Sequence, residues 1–171
     1  MKEKLVFDST PLIYFAKAKI IDKIAALSSE KIILESVYKE VVIIGKEKGK
    51  EDAFHLDNAV RNKVFTIQKF FGSVISSAKV NKALSETDRE VLSFCKLHRT
   101  CLITDDEQVR IIAEIEGIEH HGSMYILFSL LKQKIMTSKE CRDTLKMIVE
   151  NGWYCSLDLY QEIIEKLSEN K

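Results

Sequence analysis

Short apolar runs alternate along this chain with segments whose apolar residues recur at helical spacing. The runs at 5–7, 32–34, 64–67 and 101–104 have the length and unbroken apolar character of buried strands. The segment 11–27 carries one apolar stripe, as an amphipathic helix does. Unbroken apolar strands separated by helices are typical of parallel sheets covered on both faces. The alternation therefore predicts an α/β fold, a three-layer α/β/α sandwich with a central parallel sheet.

The remaining segments predict how the domain is organised. The 171 residues are sufficient for one domain, 1–171, in which roughly 123–171 forms a helical carboxyl-terminal extension. We expect Thr10 to cap the first helix and Pro11 to be its first residue. The charged, glycine-punctuated segment 45–52 predicts an exposed loop. Other expected elements are helices from Ser85 onwards, around Val109 up to Gly117, and at 124–134 and 138–149, a short strand at 118–119, a cap at Ser36, and mixed loop and helix at 72–83.

Charge and cysteine content limit the function classes. Basic and acidic residues number 26 each, so the net charge is zero. Nucleic-acid binders usually carry a basic excess, so such a role here would depend on a local patch or on metal ions that bridge acids to phosphates. The four cysteines, Cys95, Cys101, Cys141 and Cys155, form no C-x-x-C pair, which gives a structural zinc site little support. No signal peptide or membrane-spanning run is recognisable, and we expect a soluble, cytoplasmic protein.

Acidic residues recur at corresponding positions of the predicted fold. Asp8 follows the first strand, and Asp105 and Asp106 follow the strand at 101–104. Glu40 and Asp88 lie in or near the first turn of two helices. Because the carboxyl ends of parallel strands share one edge of the sheet, these five acids can face one crevice.

Each acid also has an ordinary structural explanation. Asp88 follows Ser85 at the spacing of a capping box, Glu40 fits an exposed helix charge, and Asp105 could cap the next helix. Asp8 is harder to explain, because an acid among apolar residues is costly without a partner.

Several carboxylates in one crevice require a cation to stay ionised together. Since the donors are oxygens without histidine or thiolate, the expected metal is Mg²⁺ or Mn²⁺. Such ions activate water and stabilise the leaving oxygen in phosphodiester hydrolysis.

Four segments resemble the motifs of PIN-domain nucleases: VFDSTPLI at 6–13, VYKEV at 37–41, SETDREVLSFC at 85–95 and LITDDEQVR at 102–110. The later part, 117–131 and the tail around Trp153, looks like a prokaryotic branch close to VapC-type toxins. The resemblance implies a Mg²⁺- or Mn²⁺-dependent endoribonuclease that is the toxin of a type II toxin–antitoxin pair. Its partners would be RNA and a cognate antitoxin. A homodimer formed through the apolar carboxyl-terminal helices is a further hypothesis.

The resemblance also implies roles for individual residues. Asp8, Glu40 and Asp88 would be catalytic metal ligands. Asp106 matches the fourth acid of the family, and Asp105 could share that role. Supporting positions would be Ser9 and Thr10, which could hold the acid or a metal-bound water, and Thr104.

Basic residues near the acids are candidates for RNA contact. Arg89 and Arg110 are close to them in sequence and could meet backbone phosphates, although an ordinary solvated charge is the simpler interpretation for each. Further candidates are Lys46, Lys48, Lys50, Lys96, His98 and Arg99.

Two alternative functions remain open. A PIN-like fold could serve as a catalytically silent binding or assembly module. The start of the chain is also similar to haloacid-dehalogenase-like phosphatases, but Thr10 stands where that chemistry needs a second acid. The adjacent His120 and His121 would point in opposite directions on an extended chain, so they are poor joint ligands.

Overall fold

The computed structural model describes residues 2–80 and 82–169. A five-stranded sheet lies at its centre, in the order β3-β2-β1-β4-β5, and every pairing is parallel. Val6 lies opposite Ile32 on one side and Leu102 on the other. The strands are β1 (Lys4–Phe7), β2 (Glu30–Leu34), β3 (Thr66–Gln68), β4 (Cys101–Ile103) and β5 (His120–His121). The predicted α/β sandwich with a parallel sheet is confirmed.

Helices connect the strands and follow the last one. They are α1 (Ser9–Lys17), α2 (Ile21–Ala25), α3 (Glu35–Tyr38), a π-helical segment (Lys39–Ile44), α4 (Gly45–Glu47), α5 (Glu51–Arg61), α6 (Ser76–Val80), α7 (Glu86–His98), α8 (Glu107–Ile115), α9 (Ser123–Lys132), α10 (Ser138–Glu150) and α11 (Leu157–Glu169). Among the described residues, none of these helices is both long and apolar enough to span a bilayer.

The strand order places a crevice between β1 and β4. From β1 the chain moves to β2 and β3 in one direction, and then crosses back to β4 and β5 in the other. Because parallel crossover connections are right-handed, this reversal puts α1–α5 on one face and α6–α8 on the opposite face. Open α/β sheets bind ligands at such a reversal, beside the carboxyl ends of the strands.

Aromatic and aliphatic packing fills the layer between the sheet and α1. The ring of Phe7 meets the edges of Phe15 and Phe65, with centroids 6.5 and 5.5 Å apart. The helix α10 packs against α1, α9 and α11, so the carboxyl-terminal helices extend this layer. Leu145, Ile148 and Leu167 are fully buried there.

The first helix differs from its prediction in two ways. It begins at Ser9, and Asp8 rather than Thr10 is its N-cap, with its side chain accepting a hydrogen bond from the Ser9 backbone N–H. It also ends at Lys17, because Lys19 adopts a left-handed conformation (φ 58°) and α2 starts a new axis. The continuous apolar stripe did not reveal this break.

Other boundaries also differ from the sequence prediction. The expected loop at 45–52 is mostly helical, with a turn at Gly49 (φ +66°) between α4 and α5. Ser36 lies inside α3 and does not cap it, and the short last strand lies at β5 rather than at 118–119. The region 72–83 contains α6, and its residue 81 lies outside the described residues. The sequence analysis missed α11, whose Ile163 and Leu167 are buried one turn apart.

Candidate functional site

Asp8 is held rigidly at the carboxyl end of β1. Its side chain is only 3% exposed. Oδ1 accepts a hydrogen bond from the Ser9 backbone N–H at 2.7 Å, and Oδ2 accepts one from the Thr104 hydroxyl at 2.7 Å. Its backbone N–H donates to the carbonyl of Ile103 at 3.0 Å. These contacts fix Asp8 at the reversal between β1 and β4, where the fold places its crevice.

The electrostatics of Asp8 show which other acids act on it. The pKa of Asp8 is raised from 3.8 to about 6, and burial is the largest cause. The hydrogen bonds from Thr104 and Ser9 offset part of the rise, and the negative charges of Asp88 and Glu40 add smaller increases to it. Three of the five predicted acids therefore share one electrostatic environment, although they come from β1, the π-helical segment and α7.

Glu40 is exposed and lies in the π-helical segment. Such widened turns are rare and frequently occur at functional sites. Asp57, which is buried on α5, contacts residues on both sides of the π-helical segment that carries Glu40. It accepts a hydrogen bond from Tyr38 at 3.0 Å and pairs closely with Lys46. Arg61 also lies 3.0 Å from Asp57. The sequence analysis missed Asp57, although an acid beside Leu56 on the apolar stripe of a helix is a readable signal.

Asp88 has the capping role that its spacing predicted. Its Oδ2 accepts a hydrogen bond from the Ser85 backbone N–H at 2.7 Å, and its own N–H donates to the Ser85 hydroxyl at 3.1 Å. The capping box fixes the first turn of α7, and the negative charge of Asp88 on this turn contributes to the raised pKa of Asp8.

Asp105 and Asp106 have separate local partners. Asp106 is exposed and caps α8, because its Oδ1 accepts a hydrogen bond from the Val109 backbone N–H at 2.9 Å. The helix cap is therefore Asp106 and not Asp105. Asp105 accepts hydrogen bonds from the backbone N–H (2.8 Å) and the hydroxyl of Ser123, at the start of α9. A Cβ on Gly122 would lie 2.8 Å from Asp105 Oδ1, so a side chain there would disturb this contact.

Thr104 connects the two strand ends. It is fully buried, its hydroxyl donates to Asp8, and the same oxygen accepts from the Asp106 backbone N–H at 3.2 Å. Ser9 is also buried, and its hydroxyl has no hydrogen-bond partner among the described residues. This buried hydroxyl next to Asp8 has unused hydrogen-bonding capacity. Thr10 is half-buried in the first turn of α1.

The acids have the donor chemistry of a hard cation site. A divalent ion would relieve the mutual repulsion of Asp8, Glu40 and Asp88. Within the described part of the chain, these carboxylates do not form a group of three whose ligand atoms lie within 4.8 Å of one another. Mg²⁺ keeps several waters and binds directly to one or two carboxylates, so it does not require three carboxylates in contact with one another.

The predicted RNA-contacting residues have different environments. The Arg89 Nε donates to the Ala78 carbonyl at 3.1 Å, whereas Arg110 is exposed on the first turns of α8. Lys46 is engaged by Asp57, and its Nζ lies 5.3 Å from the centroid of the Phe54 ring. Arg89 and Lys46 therefore have partners within the protein, whereas Arg110 is exposed.

The comparisons with known proteins agree with this fold. The family model DUF3368, described as a PIN domain, matches residues 4–169. No curated protein matches this chain. A PilT N-terminus domain protein from Sulfolobus solfataricus P2 is similar in structure, with 16% identity over 75% of this chain and 93% of that chain and a TM-score of 0.53.

A second similar structure is a domain of a functionally unknown protein from Methanocaldococcus jannaschii DSM 2661. It is 18% identical over 70% of this chain and 90% of that chain, with a TM-score of 0.49. The family model extends from β1 to α11 and includes every acid of the crevice. Because the PIN-domain family model matches residues 4–169, the chain belongs to the PIN-domain family.

Proposed function

We propose that this protein is a Mg²⁺- or Mn²⁺-dependent endoribonuclease. The observation that carries the proposal is Asp8, which lies at the strand reversal with its pKa raised mainly by burial and further by the charges of Asp88 and Glu40. PIN domains are generally nucleases, and the family match supports nuclease chemistry at this edge of the sheet. The family match gives no support to the phosphatase alternative.

Asp8, Glu40 and Asp88 would hold the ion, and Asp106, with Asp105 beside it, is the candidate for the fourth acid. When bound, Mg²⁺ or Mn²⁺ supplies an activated water and neutralises charge on the phosphate. Thr104 and the Ser9 N–H orient Asp8 by hydrogen bonds that favour its ionised form. The unpartnered Ser9 hydroxyl can donate to a phosphate oxygen or accept from the attacking water.

Cleavage in this scheme is a hydrolysis. The oxygen of water forms a bond to phosphorus, the bond from phosphorus to the 3′-oxygen breaks, and that oxygen leaves with a proton. The products carry 5′-phosphate and 3′-hydroxyl ends. Arg110 and Arg89 are the proposed contacts to the RNA backbone, and they would position the strand without reading its sequence.

The biological role that we propose is that of the toxin in a type II toxin–antitoxin pair in the cytoplasm. It rests on the resemblance of the motifs to VapC-type toxins. The proposed homodimer would use α11 and the turn before it, where Tyr154, Leu157 and Leu159 are 91%, 71% and 42% exposed. Induced expression in a bacterial host should arrest growth, and an Asp8→Asn variant should not.

Incubation of the purified protein with several RNAs and Mn²⁺ tests the catalytic proposal. We expect the wild-type protein to cut RNA and Asp8→Asn to lose at least about a hundredfold of that rate. Asp22→Asn is the matched control, since Asp22 is an exposed acid on α2 away from the crevice. Equal cleavage by wild type and Asp8→Asn would contradict the proposal. No cleavage of any RNA by the wild type would favour the silent binding module.

A further inference from the structure

A second group of donor atoms lies beside α9, on the face of the sheet to which Leu5 and Phe7 of β1 also point. Cys101, Glu119 and His121 each present one ligand atom, and these atoms all lie within 4.8 Å of one another. We call these three residues the mixed-donor cluster. Cys101 is buried, His121 is half-buried and Glu119 is exposed, so the cluster opens to solvent along the edge strand β5.

Strand register brings the three side chains together. Leu102 pairs with His120, so Cys101 lies beside Glu119 on the neighbouring strand. Because side chains alternate along a strand, Glu119 and His121 point to the same face as Cys101. His120 points the other way, where its Nδ1 lies 3.1 Å from the Ile118 carbonyl and its Nε2 lies 3.8 Å from Glu114 of α8.

The imidazole of His121 is oriented by its neighbours. Its ring stacks on Tyr125 with centroids 4.1 Å apart and planes 9° from parallel, and its Nε2 lies 3.9 Å from Glu119 Oε1. The Tyr125 hydroxyl donates to Glu3 at 2.7 Å, which holds a second carboxylate near the thiol. Burial and the charges of Glu119 and Glu3 raise the pKa of Cys101, which is the behaviour of a thiol in negative surroundings.

We propose that Cys101, Glu119 and His121 form a binding site for Zn²⁺, with a fourth position left to water or to Glu3. Sulfur, imidazole nitrogen and carboxylate oxygen together are the donors that zinc takes in proteins, whereas Mg²⁺ takes oxygen alone. Ligand atoms of a tetrahedral zinc site lie about 3.5 Å apart. In this proposal, the exposed Glu119 and the half-buried His121 rotate on binding to bring their ligand atoms from within 4.8 Å to that spacing. Binding releases the proton of the Cys101 thiol.

An ion in this site would join the edge strand to the centre of the sheet. The backbone carbonyl of His121 already accepts a hydrogen bond from the Thr104 backbone N–H at 2.9 Å. Thr104 in turn donates to Asp8, so the zinc site would stabilise the strand end that supports the acidic crevice.

Titration with Co²⁺, a spectroscopic substitute for Zn²⁺, tests the site. The protein used is the full chain with Cys155→Ser, because Cys155 is a half-buried thiol outside the cluster. We expect a thiolate-to-cobalt charge-transfer band that saturates at one equivalent and disappears when Zn²⁺ is added. Cys101→Ser should remove the band. Glu119→Gln and His121→Gln should each weaken Co²⁺ binding by about tenfold or more.

His120→Gln is the matched control, since it changes the neighbouring histidine on the opposite face and should leave the titration unchanged. Circular dichroism checks the fold of each variant. If Cys101→Ser does not fold, Glu119→Gln decides the question, because Glu119 is exposed. Absence of the band in the parent protein, its persistence without Cys101, or an equal loss in His120→Gln would each overturn the proposal.

Discussion

The acidic crevice and the mixed-donor cluster share one strand, β4, but they are built in different ways. In the crevice, Asp8 follows β1 and the other acids come from helices and loops. In the cluster, Cys101 begins β4, and Glu119 and His121 flank and end the edge strand. The crevice offers oxygens alone, and the cluster offers sulfur, nitrogen and oxygen.

The difference shows how a sheet can keep two kinds of donor apart. The crevice acids come from a strand end and from two helices, and their oxygen atoms suit a hydrated ion that binds only some of them directly. Groups on adjacent strands are spaced by the hydrogen-bond register, at about 5 Å, so they suit a small ion with direct ligands. We therefore expect hard and borderline ions to separate between the two regions.

Crossed variants give the largest expected effect. We expect calorimetry to detect Mn²⁺ binding to the wild type and none to Asp8→Asn. The same variant should change the Co²⁺ charge-transfer signal by less than about twofold. Cys101→Ser should abolish the Co²⁺ charge-transfer signal and change Mn²⁺ binding by less than about twofold. Loss of both signals in either variant would break the comparison, since it would mean that one ion site depends on the other.

The pH dependence of stability gives the next largest effect and concerns Asp8 alone. Its pKa is about 6 in the folded protein against an ordinary 3.8. Between these values the folded protein binds a proton that the unfolded chain has lost, so the free energy of unfolding falls as the pH rises through this window. The total loss is about 3 kcal/mol. Asp8→Asn should remove it, which leaves the variant more stable than the wild type above pH 6.

Denaturant unfolding in a chelator, from pH 4 to 8, measures this difference between wild type and Asp8→Asn. Adding Mn²⁺ at pH 8 should then stabilise the wild type and not the variant, because a bound cation favours the ionised carboxylate. A wild type that gains stability over the variant as the pH rises would contradict the assigned environment of Asp8.

The smallest effect comes from Asp57, which supports the crevice indirectly. Asp57→Ala should lower the free energy of unfolding by about 2 kcal/mol, because Tyr38 and Lys46 lose a charged hydrogen-bond partner. It should also weaken Mn²⁺ binding, through the π-helical segment that carries Glu40, and leave the Co²⁺ titration unchanged. Glu47→Ala, an exposed acid on α4, is the control. An effect on the Co²⁺ titration would show that the two regions are not independent.

The sequence predicted the parts of the site that depend on local pattern. An acid directly after a buried strand identified Asp8, and the spacing of Ser85 and Asp88 identified the capping box. The same local rules put the first helix cap at Thr10, because Pro11 suggested a later start, and the structure has Asp8 there. The break at Lys19 was not visible, since the apolar stripe continues through it.

The sequence pattern did not predict which side chains from distant segments are in contact. The sequence analysis did not single out Asp57, and its partners Tyr38 and Lys46 are identified only by the fold that places them against it. The mixed-donor cluster was also not recognised, because its spacing resembles no short zinc motif and depends on which residue of β4 faces which residue of β5.

Alternation of apolar runs and helical stripes by itself determined that this chain forms a parallel α/β sandwich with acids at one edge of the sheet. The hydrophobic period of each segment can be read from the residues of that segment, so the sequence is enough to predict its type and its buried face. The tertiary structure alone decided that Asp88 and Glu40 act on Asp8, that Asp105 binds Ser123, and that Cys101 meets His121. These contacts depend on strand order, register and helix orientation, which are set by the packing of the whole chain.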